Sequence, residues 1–244
     1  MDKELKLKNG GRMTIKDSAE KAELYFYGDI VGSSWDAWAL EDVAPNDVVE
    51  FFRGLDDNKP VDVYINSGGG DVFGGIAIYN IISRHKGHTT CHIDGLAASI
   101  ASIIALACDE VYMSEGSQFM IHRPWTFAVG NAEDLMKTVE ALGKAEESIL
   151  NIYNLHAVEG VTENMIKSMM DDETWFTASE VGDYFDIKNE GGVAMAAAMS
   201  DYYKHYRQQP EKVVEDKKEP EQIPEPENKT NFELMQAELN LLSL

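Results

Sequence analysis

The stretch HIDGLAASIASIIALA, His92 to Ala107, sets one hydroxyl, Ser99, among Ala97, Ala98, Ile100 and Ala101. A buried serine ordinarily back-bonds within its own helix and does nothing more. Ser99, however, follows a strand-like segment and Gly95, which places it in the first turn of an apolar helix. Unpaired N–H groups and a positive partial charge favour an alkoxide or oxyanion there. Ser102 lies deeper in the same helix, where packing alone accounts for it. A serine nucleophile needs a base. Of six histidines, His122 in FMIHRPW stands at the end of an apolar strand, just before Pro124 ends ladder pairing. An imidazole is held rigidly at such a place. The base needs an acid to fix its tautomer, and MMDDETWFTASE offers Asp171, Asp172 and Glu173. Three acids at a helix end oppose the dipole, so one of them is expected to have another task, with solvation accounting for the other two.

The turn in INSGGGDVFGG lies between a strand and a helix, where phosphate loops also occur. It lacks the Lys-Ser/Thr of a P-loop, and Asp71 puts negative charge where a pyrophosphate would sit. Two readings remain: a tight turn requiring positive φ, capped by Ser67, or an oxyanion hole built on the N–H groups of Gly69 or Gly70. His85, His88 and His92 have a loose metal-ligand spacing, but His85 ends a helix and His92 sits on the next strand. Neither cysteine nor a carboxylate cluster completes a site, so no metal and no cofactor are expected. His156 and His205 lie in polar contexts.

These groups need a scaffold, and the chain supplies alternating strands and helices. AELYFYGDIVG, Ala22 to Gly32, alternates as a strand and ends in a turn. Ala44 to Leu55 has a helical period with Asn46 as N-cap. Val61 to Ile65 is a strand, and a helix runs from about Asp71 to Arg84. HTTCHIDGL is the next strand, followed by a helix from Ala97 to Cys108. A strand, a turn at Glu115-Gly116 and a strand holding Met120 and Ile121 come next. Asn131 caps a long amphipathic helix to Leu155, with Leu135, Val139 and Leu142 on one face. Thr162 caps a short helix, and TASEVGDYF reads as another, with Thr177 and Glu180 as a capping box. The pattern predicts an α/β fold with a mostly parallel sheet.

The chain has 244 residues, 44% of them hydrophobic, and a formal charge of −22. That size allows one sizeable domain and an appendage. The charge argues against nucleic acid or anionic membrane as partners. No apolar run reaches spanning length, the first residues are not a signal peptide, and Cys91 and Cys108 imply no disulfide framework. A soluble, cytoplasmic protein is expected. Four of the seven prolines (Pro210, Pro220, Pro224, Pro226) fall in a Glu/Lys-rich stretch. Such a composition behaves as an extended linker. The expected organisation is an N-terminal segment (1–21), a globular domain (22–207), a linker (208–230) and an amphipathic helix (231–244). That helix would carry Phe232, Met235, Leu239 and Leu242 on one side.

Taken in order, YINSGGGDVFGGIAIYN, DGLAAS, FMIHRPW and ETWFTASEVGDYFD resemble the strand-turn-helix, nucleophile, histidine and acid segments of the ClpP family of serine peptidases. The resemblance covers roughly Ala22 to Lys188. It implies a ClpP/crotonase-like ββα spiral with a projecting helical handle, here Asn131 to Leu155, to which the composition beyond Gln208 adds a disordered C-terminal tail. It implies Ser99 as nucleophile, His122 as general base and then acid, and Glu173 as the orienting acid, with Asp172 as the alternative. The oxyanion donors would be the N–H groups of Gly69 or Gly70 and of Ile100. Cellular members carry proline where this chain has Gly68. Family members stack rings of seven subunits, implying a heptameric or tetradecameric homo-oligomer acting on protein substrates. AELYFYGDIVG, ETWFTA and the Pro/Glu linker are more similar to the phage head-maturation (prohead) proteases, whose substrates are scaffold and capsid proteins. The alternatives are a cellular ClpP-type protease with an ATPase partner, a crotonase-like acyl-CoA enzyme, and an inactive assembly protein.

Overall fold

A computed structural model describes residues 20–39 and 41–191, together with the backbone of three short N-terminal strands. Of these, β1 (Leu5–Lys6) and β2 (Arg12–Met13) pair antiparallel, and β3 (Ile15–Asp17) joins the main sheet. The expected linker 208–230 and terminal helix 231–244 lie outside the described residues.

Strict alternation from Ala22 to Phe26 produces β4, with Ala22, Leu24 and Phe26 buried on one face. Helix α1 (Pro45–Arg53) follows, then β5 (Val61–Ser67), α2 (Val72–Ile82), β6 (Thr89–Ala98) and α3 (Ile100–Ala105). Next come β7 (Glu110–Met113), β8 (Gln118–Ile121), α4 (Ala132–Leu155), α5 (Glu163–Asp171), β9 (Thr174–Thr177) and β10 (Lys188–Asn189). The eight-stranded sheet runs β10-β7-β6-β5-β4-β3, with β8 leaving β6 and carrying β9 at its far side. Pairs β4–β5, β5–β6, β6–β7, β6–β8 and β7–β10 are parallel. Strand-then-helix turns wind as a spiral, the α/β architecture expected from the alternating pattern.

Strand β6 is the element that sequence reasoning cut short. It does not turn at Gly95; it continues to Ala98. Its first half, Thr90–Ile93, pairs β7, and its second half, Leu96–Ala98, pairs β8. The second half is buried on both faces, so it shows no alternation, and its alanines favour helix by intrinsic propensity. The helix consequently starts at Ile100, not Ala97.

Three other boundaries differ. Helix α1 starts at Pro45 with Ala44 as N-cap, and the Asp47 carboxylate accepts the Ala44 N–H at 2.9 Å, so Asn46 is no cap. Helix α2 ends at Ile82, short of Arg84. The segment read as a helix over TASEVGDYF ends β9 and then makes a single 3-10 turn, Val181–Asp183. The Glu180 carboxylate does accept the Thr177 N–H at 2.9 Å, but it closes a turn rather than starting a helix.

One face of the sheet carries the core, including Leu24, Val63, Ile65, Cys91, Ile93 and Met113. On the other, four half-buried rings stack in register across β4, β5, β6 and β7: Tyr25, Tyr64, His92 and Tyr112. Successive centroids lie 4.7, 5.1 and 5.8 Å apart, with planes within 18° of parallel. The Lys188 ammonium sits 5.2 Å over the last ring.

A second aromatic group joins the elements that bear the candidate site. Phe119 (β8), Phe176 (β9) and Phe185 pack with centroids 5.6–6.3 Å apart, and Tyr153 (α4) meets Phe185 at 5.7 Å. Each such pair contributes about 0.5–1.5 kcal/mol beyond area burial. Helix α4 is capped as its sequence suggests: Asn131 Oδ1 accepts the N–H groups of Glu133 and Asp134 at 2.9 and 3.1 Å. Its C-terminal half buries Ile149, Leu150, Ile152 and Tyr153, whereas Leu135, Met136 and Val139 remain exposed. The face expected to pack is therefore buried only where α4 meets the core.

Candidate active site

Ser99 occupies the junction between β6 and α3 with φ 55° and ψ −127°. That conformation costs a non-glycine residue on the order of 1–3 kcal/mol and persists only where the surroundings over-determine it. Here they do. The Ser99 N–H donates to Met120 O on β8 at 3.0 Å, while its carbonyl accepts the Ser102 N–H at 3.1 Å. The strand-to-helix corner aims the side chain outward, and Ser99 Oγ lies 2.7 Å from His122 Nε2. With the ring proton on Nδ1, the serine hydroxyl donates to Nε2, the arrangement for proton removal.

His122 is buried immediately after β8. The β8–β9 ladder closes on the pair Ile121 and Thr174, so His122 and Glu173 leave it side by side. Among the described residues, Ser99 and Glu173 are the two non-glycine residues with positive φ, 55° and 54°. Glu173 is buried, and with His122, Arg123, Met170 and Asp171 it lines a cavity of about 570 Å³.

The run of three acids is divided by this turn. Arg123 pairs with Asp171 and reaches Glu146 of α4 at 3.6 Å. Asp172 ends α5 as its C-cap and is exposed. Of the three, Glu173 is the buried one, and it lines a cavity together with His122. The Arg123 link between α4 and α5 was not read from the sequence; a cation between His122 and Pro124 is the only signal that pointed to it.

The glycine turn approaches from β5. Gly69 and Gly70 have φ of 100° and 144°. The Gly69 N–H donates to Ser67 Oγ at 3.2 Å, and Ser67 Oγ donates to Gly28 O at 2.6 Å. Ser67 is thus the cap of the turn, and the Gly69 N–H is occupied by it. Gly70 instead faces the open cleft beside Ser99 and His122. A Cβ on Gly69 would fall 2.8 Å from the Ser99 Cβ and 3.3 Å from the Ile100 N, which shows how close the turn comes to the start of α3. The Gly70 and Ile100 N–H groups are the amides this arrangement leaves for an oxyanion. Asp71 caps α2, its Oδ1 accepting the Gly74 N–H at 2.6 Å, a structural role that leaves no place for a pyrophosphate.

The cleft measures about 710 Å³ and runs from Ser99 and His122 between the start of α2 and the wall of α4. Phe73, Trp125, Phe127 and Leu142 give it apolar sides, and Lys137 is its one lysine. The other described histidines are elsewhere, and His205 lies outside the described residues. His85 bonds Lys59 O at 2.7 Å, His92 belongs to the ring stack, and His156 bonds the Tyr79 hydroxyl at 3.0 Å. No group of three metal-ligating side chains converges among the described residues.

The segments that bring Ser99 Oγ to 2.7 Å from His122 lie in a stretch with relatives among known proteins. The family model for Clp protease matches residues 40–185. The chain belongs to the Clp protease family. An ATP-dependent Clp protease proteolytic subunit from Bacteroides fragilis is 29% identical over 136 residues, 55% of this chain and 65% of that protein. An ATP-dependent Clp protease proteolytic subunit 1 from Chlamydia abortus is 32% identical over 130 residues, 52% of this chain and 67% of that protein. Its counterpart from Protochlamydia amoebophila is 34% identical over 131 residues. The chain spans just under two thirds of the Bacteroides relative's length. The Clp protease match contains the glycine turn, Ser99, His122 and Glu173 within one continuous stretch.

Proposed function

We propose that this chain is a serine endopeptidase acting through Ser99, His122 and Glu173. The observation that carries the reading is the 2.7 Å contact between Ser99 Oγ and His122 Nε2 at the strained β6–α3 corner. Ser99 Oγ attacks the scissile carbonyl carbon as His122 Nε2 takes its proton. The Gly70 and Ile100 N–H groups donate hydrogen bonds to the developing oxyanion. As the tetrahedral intermediate collapses, the imidazolium returns the proton to the leaving amine nitrogen, and an acyl-enzyme remains. Water, deprotonated by the same imidazole, then releases the acid product. Glu173 fixes the tautomer and offsets the imidazolium charge. Asp172 is the less favoured acid because it is exposed at the helix end.

The substrate reading is a phage head-maturation protease that trims scaffold or capsid protein inside a procapsid in the host cytoplasm. AELYFYGDIVG, ETWFTA and the Pro/Glu-rich stretch beyond Gln208 support it. The second reading, a proteolytic subunit serving an ATPase, is favoured by the names of the relatives from Bacteroides and Chlamydia. A ring of copies would shelter so simple a site, and the exposed Leu135, Met136 and Val139 of α4 offer apolar surface for contact between copies.

The deciding experiment is fluorophosphonate labelling of the sized oligomer, wild type beside Ser99→Ala. Labelling confined to the wild type is expected. An unlabelled, assembled wild type would return the weight to an inactive assembly protein. Deleting the residues after Gln208 separates the two substrate readings. On the phage reading the acidic tail recruits the enzyme into the assembling shell, so peptide hydrolysis is expected to persist while packaging into procapsids is abolished; unchanged packaging would sink that role.

A further inference from the structure

Ser102 and Tyr153 form a buried hydroxyl pair that the chemistry above does not use. Ser102, 0% exposed, sits within α3, and its Oγ donates to the Ser99 carbonyl at 2.5 Å. The Tyr153 hydroxyl, on a side chain 1% exposed, lies 2.6 Å from the same Oγ. A serine hydroxyl has one hydrogen. Since Ser102 gives it to Ser99, Tyr153 must be the donor to Ser102. The chain of donation runs in one direction, from α4 through α3 to the carbonyl of Ser99.

We propose that Ser102 and Tyr153 are positioning residues that hold Ser99 in its strained conformation and tie it to α4. This rests on reading Ser99 as the nucleophile. The peptide units around Ser99 are gripped at both ends. Its N–H is bound to Met120 on β8, the strand that delivers His122. Its carbonyl is bound by both the N–H and the hydroxyl of Ser102. The first tie sets Ser99 against the base. The second sets it against α4, whose Lys137, Leu142 and Ala145 form one wall of the cleft. A serine bonding its own helix is commonplace. This one differs in binding the residue that precedes the helix, at φ 55°, and in being polarised by a buried phenol. Donation from the phenol strengthens the bond Ser102 makes to Ser99, because linked hydrogen bonds polarise one another.

A purely structural role predicts something different, and a double-mutant cycle separates the two. Ser102→Ala strands the buried Tyr153 hydroxyl, and Tyr153→Phe removes the donor while keeping the ring against Phe185. Each single variant lowers Tm. The double variant replaces both polar partners by apolar groups, so Tm recovers. Under the positioning role, fluorophosphonate labelling does not recover with it. The second-order rate stays about tenfold or more below wild type, and hydrogen exchange at the amides of residues 99–102 stays faster. Labelling that returns to the wild-type rate together with Tm would overturn the proposal. So would Ser102→Ala labelling at the wild-type rate while melting earlier. Hydrogen exchange needs no turnover, so an unlabelled wild type would remove Ser99 as nucleophile, while an exchange change restored in the double variant would remove the positioning role.

Discussion

Glu173 and Asp172 are neighbours of the same charge, and their substitution separates one buried carboxylate from one solvated carboxylate. Glu173→Gln keeps the shape and removes the anion, so kcat is expected to fall about 10⁴-fold, as for an orienting acid that loses its charge. Asp172→Asn is expected to leave peptide hydrolysis within a factor of about two, since an exposed surface change seldom exceeds about 0.5 kcal/mol. Steady-state hydrolysis of one peptide by both variants checks the pair. At the glycine turn, Gly70→Ala would put a Cβ 2.0 Å from the Ile30 carbonyl oxygen, at a φ of 144°. Labelling and Tm are expected to fall together, because the turn must move to admit the methyl. At this scale the sequence was informative about types and order. Ser99, His122 and the acid run could be named because a lone hydroxyl, a strand-end imidazole and a carboxylate cluster are chemically distinctive. Which glycine amide is occupied could not be read, since Gly69 and Gly70 differ only in what Ser67 happens to reach. For Ser102 the local sequence points only to packing, because nothing in it shows that Tyr153, fifty-one positions away, meets it.

Helix α4 ends at His156, its C-cap, where burial holds the imidazole pKa below its ordinary 6.5 and the ring bonds Tyr79. The unfolded chain therefore protonates first. Above pH 6.5 both states carry a neutral ring and the group gives no slope. As pH falls from there toward the folded pKa, proton uptake favours unfolding and stability declines. His156→Gln is expected to flatten that part of the acid limb, and thermal melts between about pH 7.5 and about pH 5 will show whether it does. At the N-terminus, Asn131→Ala is expected to cost about 1 kcal/mol through loss of its two accepted N–H bonds, read from denaturant midpoints. Elements were legible where one face is wet and the other dry: β4, α4 and α5 lie close to their expected spans. They were illegible where burial is two-sided or where the chain is too short to show a period. The end of β6 is the first kind; the single turn at Val181–Asp183 is the second. In both cases a residue pattern reports the contrast between water and core, and there the contrast vanishes.

For the molecule as a whole, the cleft wall and the exposed apolar strip belong to the same helix. Leu135, Met136 and Val139 are 42%, 62% and 63% exposed on α4, while Lys137 and Leu142 line the cleft. If copies associate through this strip, Val139→Glu is expected to shift the sedimentation profile to smaller species and to leave the isolated fold intact by far-UV circular dichroism. An unchanged profile would place the contact elsewhere. The parallel sheet followed from strands alternating with helices, but its half-buried row of rings did not, because parallel sheets usually carry apolar side chains on both sides. The row of Tyr25, Tyr64, His92 and Tyr112 on that face has an optical consequence. Trp35 and Trp38 are 97% and 99% exposed, so half of the four tryptophans are expected to emit in the folded protein much as they would in an unfolded chain. Tryptophan fluorescence is therefore a blunt reporter of this protein's denaturation. Tyr25 and Tyr64, with ring centroids 4.7 Å apart, couple their transition dipoles, and a one-residue slip of β4 or β5 turns one of these rings to the opposite side. A near-ultraviolet dichroic band from the tyrosines would thus read strand register itself, without a label.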